Sequence, residues 1–206
     1  MYSIVSPTQA RSKKALERFL NVAADLLADN RFEETGISQI AQLAESSVGT
    51  FYRLLADKDV LLYAVHDRFV EQGRGAIDVL TDELSRSDLP LRAQIEGFIQ
   101  GVIRLFAGSE GLLRALIRRS SVDVEFRSRF HQLNAYIGQT FCRIALARAD
   151  ELGHPNPQQA ADLSAHMLLA GMNYYTMIGS MGATPAEVIP EELSRLVCNY
   201  LEVPKH

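Results

Sequence analysis

Residues 32–62, FEETGISQIAQLAESSVGTFYRLLADKDVLL, decide the fold. Ile37, Ile40, Ala41 and Ala44 recur at i, i+3, i+4 and i+7, the spacing of one apolar helix face. Val48, Phe51, Tyr52 and Leu55 repeat that spacing after a tight break at Glu45-Ser46. Thr35 offers an N-cap oxygen to the first of these short helices and Ser47 to the second, while Asp57 can cap a longer helix behind them. Two short helices joined by a tight turn form a helix-turn-helix candidate, in which the second helix lies in a DNA major groove. A helix that enters a groove needs a small, polar outward face near its N-terminus, and Ser46, Ser47, Gly49, Thr50 and Arg53 supply one. Gly49 lets the backbone come close, and Ser47 and Thr50 can donate to phosphates or base edges. Tyr52 can aim its hydroxyl at a phosphate with its ring turned inward, and Arg53 can reach a guanine edge or a phosphate.

Working outward, the whole chain reads as helix. Leu16, Phe19, Leu20, Ala23 and Leu27 predict a first amphipathic helix over 11–28, behind a frayed stretch at 1–10. The helix capped by Asp57 runs to about Ser85, with Leu61, Leu62, Val65, Phe69 and Val70 inward. Pro90 suits the first turn of a helix reaching about Ala107. A short helix from 110 to Arg119 follows, then one capped by Asp123 that extends to about Leu152. Gly153-His154-Pro155-Asn156-Pro157 is a loop, and helices over about 158–180 and 190–202 complete some nine.

At 206 residues and 47% hydrophobic content the chain can bury a sizeable core, which excludes a disordered tail or a disulfide miniprotein. Cys142 and Cys198 are far apart and signal neither a zinc site nor a redox pair. His66, His131, His154, His166 and His206 have no metal-type spacing, so neither metal nor cofactor is expected. The net charge of −4 argues against a bulk nucleic-acid coat protein. Residues 1–56 carry six basic and six acidic side chains, so the rest of the chain holds the acidic excess, and the basic ones bunch at Arg11, Lys13, Lys14 and Arg18. That cluster is either an arm toward DNA or a solvated terminus. Residues 1–7 lack the pattern of a signal peptide. The uncharged run from Leu163 to Ala186 is diluted by Ser164, His166, Asn173, Thr176 and Ser180, so it reads as a helix buried in protein rather than a membrane span. No phosphate-binding loop, nucleophile elbow or metalloprotease motif calls for an enzyme.

The segment 32–62 resembles the DNA-binding segment of the tetracycline-repressor (TetR) family of transcriptional regulators. The resemblance rests on Thr35 opening the second helix, the Ile40-Ala41 pair, Ala44 before the turn, Ser47 opening the recognition helix, Gly49-Thr50-Phe51-Tyr52, and Lys58. Ala23-Ala24 and Leu27 extend it upstream, to cover about residues 12–65. Three positions depart from the family pattern. Glu45 stands where glycine is usual, Ser46 replaces an apolar turn residue, and Leu54-Leu55 replaces an aromatic pair. If Glu45 is left-handed, its side chain costs about 1 kcal/mol.

The resemblance implies an all-α protein with a helix-turn-helix head at 1–56 and an effector-binding and dimerisation domain at 57–206. It implies a cytoplasmic, ligand-responsive regulator, read as a repressor, whose homodimer binds a near-palindromic operator and leaves it when a small molecule binds. Double-stranded DNA would be contacted by Thr35, Ser46, Ser47, Val48, Gly49, Thr50, Tyr52, Arg53 and Lys58. An apolar effector cavity would draw on Phe98, Phe106, Ile117, Phe126, Phe130 and Tyr136, with His166, Asn173, Tyr174 and Met177 on the uncharged helix orienting the ligand. Each aromatic residue alone is more often core, the residues of the uncharged helix read as easily as core or interface groups, and the last two helices would pair two copies. Arg114, Arg118 and Arg119 could hold an anionic effector or form a solvated face. The alternative to a regulator is a helical interaction module without sequence-specific DNA recognition, for which Glu45, Ser46 and the neutral head speak.

Overall fold

A computed structural model describes residues 10–205, the side chain of Ala10 excepted. The stretch read as frayed and His206 lie outside the described residues. Nine α-helices are present among them: α1 (Ala10–Ala28), α2 (Ile37–Leu43), α3 (Val48–Leu54), α4 (Lys58–Arg86), α5 (Leu91–Phe106), α6 (Glu110–Val122), α7 (Val124–Leu146), α8 (Pro157–Ile178) and α9 (Ile189–Tyr200). A short 3-10 turn at Ala149–Glu151 takes up the end of the helix expected to reach Leu152, and a second, at Ala186–Val188, leads into α9. No described helix is long and apolar enough to cross a membrane.

The chain forms two compact units. The first holds the described residues up to Glu71 together with Gly108–Phe130, and the second holds Gln72–Ala107 with the remainder from His131. In the first, α1 packs on α2, α3 and α6. Phe19, Ile40, Phe51, Leu55, Leu61, Leu116 and Phe126 share one buried cluster, and Phe19 meets Phe51 edge to face at 5.3 Å. Packing therefore reaches past residue 56 to recruit α6, whose Leu116 joins the same buried cluster. The contact is tight: a Cβ on Gly111 of α6 would stand 2.7 Å from the Ala28 carbonyl oxygen. In the second unit α5 packs on α9, and Ile95, Phe98, Ile99 and Val102 face inward.

Chain ends and caps explain the boundaries. Asp57 accepts from the Val60 amide at 2.8 Å and Asp123 from the Phe126 amide at 2.9 Å. Asn156 accepts from the Gln159 amide at 3.3 Å and opens α8. Pro90 occupies the N-cap of α5 rather than its first turn, because its ψ of 149° is extended. Three helices end in one motif, with a left-handed residue and paired closing hydrogen bonds. After α1, Asn30 (φ 59°) is flanked by Arg31 N–H to Leu26 O at 2.8 Å and its own amide to Leu27 O at 3.1 Å. After α2, Glu45 (φ 48°) is flanked by Ser46 N–H to Ala41 O at 2.9 Å and its own amide to Gln42 O at 3.0 Å. After α9, Glu202 (φ 54°) is flanked by Val203 N–H to Cys198 O at 2.9 Å and its own amide to Asn199 O at 3.1 Å.

Candidate nucleic-acid interface

The turn between α2 and α3 follows from that closure. Glu45 reverses the chain, and Ser47, in extended geometry, starts α3. The Ser47 hydroxyl oxygen accepts from the Thr50 amide at 3.1 Å, and the two side-chain oxygens lie 3.0 Å apart. α3 buries Phe51 and Leu54 and exposes the opposite side. Ser47, Val48, Gly49, Tyr52 and Arg53 are exposed on α3 and its cap, with Ser46 and Thr50 half-buried beside them. The first turn of α3 is thus small, polar and outward, as groove insertion requires. A Cβ at Gly49 would meet only the Ser47 hydroxyl, at 3.9 Å, so its use is room for an approaching surface rather than internal packing.

Four expectations change. Thr35 does not cap α2; Gly36 does, and the Thr35 hydroxyl donates to Arg31 O at 2.7 Å. Thr35 is 3% exposed, so it supports the loop from within. Tyr52 is 56% exposed, and only the edge of its ring meets Phe51, at 5.6 Å; the ring does not turn inward. Val48 likewise leaves the inner face, which α3 forms instead with Phe51, Leu54 and Leu55. Lys58 has partners within the head: its ammonium donates to Phe32 O at 2.7 Å and Glu33 O at 3.0 Å and stands 4.8 Å from the Phe32 ring centre. It fastens the start of α4 to the loop before α2.

Two elements missed in the sequence hold this surface. The Arg53 guanidinium donates to Ser12 Oγ of α1 at 3.4 Å, and Ser12 is buried. Arg53 is therefore steadied beside Arg11, Lys13 and Lys14, which are exposed at the start of α1. Behind the head, Arg119 of α6 bonds Asp59 of α4 and Asp123 at the α7 cap, each at 3.0 Å. Tyr63 donates to Asp123 at 3.1 Å, and Arg129 bonds Asp67 at 3.2 Å while stacking over Tyr63 at 5.0 Å. The Phe126 amide, then Tyr63 and Arg119, hold the Asp123 carboxyl below its usual range against the opposing effect of burial. Burial raises Asp67, but the His66 hydrogen bond and Arg129 outweigh it, so its carboxyl is also lowered. The Asp123 cap and the Arg119/Asp123 spacing are local and visible in the sequence; the Asp59, Tyr63 and Arg129 contacts join residues about sixty apart and are not.

The expected effector residues do not gather in one unit. Ile117, Phe126 and Phe130 belong to the first, where Phe126 is fully buried against the edges of Tyr63 and His66. Phe98, Phe106, Tyr136, His166, Asn173, Tyr174 and Met177 belong to the second. There Phe98 is fully buried near Phe141 at 6.3 Å, a packing role rather than a cavity wall. Tyr136 donates to Asp78, with the Arg74 guanidinium 5.1 Å from its ring centre. His166 and Tyr174 are exposed, and Phe106, Asn173 and Met177 are half-buried. Among the described residues no cluster could hold a metal ion.

No protein-family model and no curated protein matches the chain. Solved structures do. A bacterial regulatory protein of the TetR family from Rhodococcus RHA1 superposes with a TM-score of 0.72 at 16% identity, over 93% of this chain and 98% of that one. The regulator FadR from Bacillus subtilis, solved with stearoyl-CoA, gives 0.63 at 16%, over 90% and 95%. The superantigen PfiT gives 0.67 at 17%, over 93% and 97%. The architecture is thus an all-helical one built on an N-terminal helix-turn-helix. More narrowly, it is the fold of the TetR-family regulators, and that fold also serves a protein described by another activity.

Proposed function

We propose that the chain is a ligand-responsive transcriptional regulator, a repressor, whose homodimer binds a near-palindromic duplex. The observation that carries this reading is the outward N-terminal face of α3. Ser47, Val48, Gly49 and Thr50 form a small, largely polar edge, with Tyr52 and Arg53 exposed on the next turn. In this reading Ser46, Ser47, Val48, Gly49, Thr50 and Tyr52 touch the duplex, Arg53 adds charge, and Lys58 and Thr35 support them from behind. Residues 1–56 provide recognition, and 57–206 provide dimerisation and effector binding.

Dimerisation through α8 and α9 is supported by an exposed apolar stripe. Leu163, Met167, Tyr174 and Ile178 follow helical spacing on α8, and Leu196 and Tyr200 stand exposed on α9, which packs on α8. Such a stripe is costly in water and suits a self-complementary interface. Two heads held by one interface meet half-sites about one helical turn, or a multiple, apart. A ligand favouring a mis-spaced state then weakens DNA binding by linkage. The stearoyl-CoA held by the Bacillus subtilis neighbour supports an effector with a large apolar part for this chain. The protein would act as a binding protein in the cytoplasm, without catalysis.

A second reading, a helical interaction module that reads no specific sequence, draws support from the neutral head and from the superantigen of like fold. Selection from random duplex DNA with the purified protein separates the two. The regulator recovers a palindrome, and the interaction module recovers no preferred sequence.

A further inference from the structure

In the first unit a groove of about 370 Å³ opens between the loop that follows α1 and the outer side of α6. Leu27, Leu62 and Phe32 give it an apolar floor, and all three are buried. Ala115 and Val122 of α6 form its far wall, and Val122 is 79% exposed. Glu33, Glu34 and Asn30 line the loop side, and Arg118 and Arg119 the helix side.

The two arginines are already engaged. Arg119 is shared by Asp59 and Asp123 at 3.0 Å each, and Arg118 donates to Asn30 Oδ1 at 2.8 Å. The Glu34 carboxylate has no ion pair among the described residues, and the Glu33 carboxylate has no direct one, although its charge reaches Arg119 and helps to hold that guanidinium protonated. Counting the groups bonded to the lining, four carboxylates (Glu33, Glu34, Asp59, Asp123) stand against three cations (Lys58, Arg118, Arg119). An anionic effector on Arg118 and Arg119, one of the options left by the sequence, would compete with those bonds. A cation would instead meet two exposed carboxylates that make no direct ion pair, only Glu33 acting on Arg119, beside an apolar floor.

We infer that this groove binds a compact amphipathic organic cation, its apolar part on Leu27, Phe32, Leu62 and Val122 and its charged end at Glu33 and Glu34. The site is independent of DNA recognition and of any effector cavity among the aromatic residues named above. A groove of this volume lies at the small end of the range that small-molecule ligands occupy, about 300–1,000 Å³. Two half-solvated charge contacts and one buried ring make for binding at about 1 mM.

The test is calorimetric titration of the full chain with phenethylammonium, its neutral analogue 2-phenylethanol and its anionic analogue phenylacetate. The site predicts saturable binding of phenethylammonium, weaker binding of the alcohol and none of phenylacetate. The double variant Glu33→Gln/Glu34→Gln, on exposed positions that leave the core untouched, weakens the cation about tenfold and brings it level with the alcohol. Ala115→Phe, which fills the far wall, abolishes binding of both. Equal or stronger binding of phenylacetate overturns the inference. So does phenethylammonium binding that neither variant changes, which places the cation elsewhere, or the absence of saturation by any of the three. Because none of these measurements uses DNA, failure here leaves the regulator reading standing, and failure of that reading leaves this site standing.

Discussion

Replacing Glu45 by glycine stabilises the protein. Glu45 sits at φ 48°, where an L side chain crowds its own backbone. The conformation is imposed, because the Ser46 amide must reach Ala41 O at 2.9 Å and the Glu45 amide Gln42 O at 3.0 Å to close α2 and turn the chain toward α3. Relief of the left-handed strain is worth roughly 1–2 kcal/mol. The extra freedom that glycine gives the unfolded chain takes back about 0.5–1 kcal/mol. Removing a carboxylate from the C-terminal end of α2 adds a few tenths, about 0.3 kcal/mol, by easing its repulsion from the helix dipole. The net gain is about 1 kcal/mol, which for a chain of this length raises the melting temperature by about 2–4 °C. Thermal unfolding followed by circular dichroism reads it directly. Glu45→Ala serves as the control: it removes the carboxylate and keeps the Cβ, so it captures the charge contribution alone and stays within about 1 °C of the parent. A melting temperature lowered by Glu45→Gly, or an alanine variant as stable as the glycine variant, would refute the claim that backbone strain sits in this turn.

Other changes follow from the packing and the caps. Gly111→Ala drives a Cβ to 2.7 Å from Ala28 O, a backbone atom that cannot swing away, so urea unfolding should show a loss of about 2 kcal/mol. Asp123→Ala removes the α7 cap and costs about 1 kcal/mol at neutral pH. Because the folded carboxyl lies below its ordinary range, its contribution is present above that range and lost as the pH falls through the folded value. The stability gap between parent and variant therefore closes in acid, and a gap that stays constant down to pH 2 would contradict the assignment. Burial pushes the Cys198 thiol up to about 11, so at pH 8 only about one molecule in a thousand carries its thiolate. A thiol reagent labels the half-buried Cys142 first and Cys198 only on unfolding. In the DNA-binding reading Tyr52→Phe weakens duplex binding without changing the melting temperature, since the hydroxyl of this exposed ring has no bond to lose within the head.

The helices of the head were legible because their apolar positions repeat at 3 and 4 residues and their caps are local. Ser47, Asp57 and Asp123 each bond an amide three residues on, a relation that sequence displays. Thr35 failed because its hydroxyl found a carbonyl four residues back instead of a helix to cap. The i, i+4 rule treats tyrosine as apolar and so places Tyr52 on the inner face, yet Leu54 and Leu55 fill the space behind α3. Lys58 illustrates the deeper limit. Its partners, the carbonyls of Phe32 and Glu33, lie 26 and 25 residues away, and no spacing rule predicts a bond to backbone oxygens at that range. The recruitment of α6 by α1, and the groove beside it, are tertiary facts of the same kind. The aromatic residues assigned to an effector cavity show the reverse error: composition cannot tell a cavity wall from a packed core, and Phe98 and Phe126 are core.

The claim that the outward edge of α3 reads DNA is tested most directly by the salt dependence of binding to the duplex that selection returns. Each phosphate neutralised releases counterions and steepens the plot of log affinity against log salt by about 0.9. The account predicts a steep negative slope and a stoichiometry of two chains per palindrome, with Arg11, Lys13, Lys14 and Arg53 supplying the charge on each head. Affinity that does not change with salt, or a protein that selects no sequence at low salt, would contradict it.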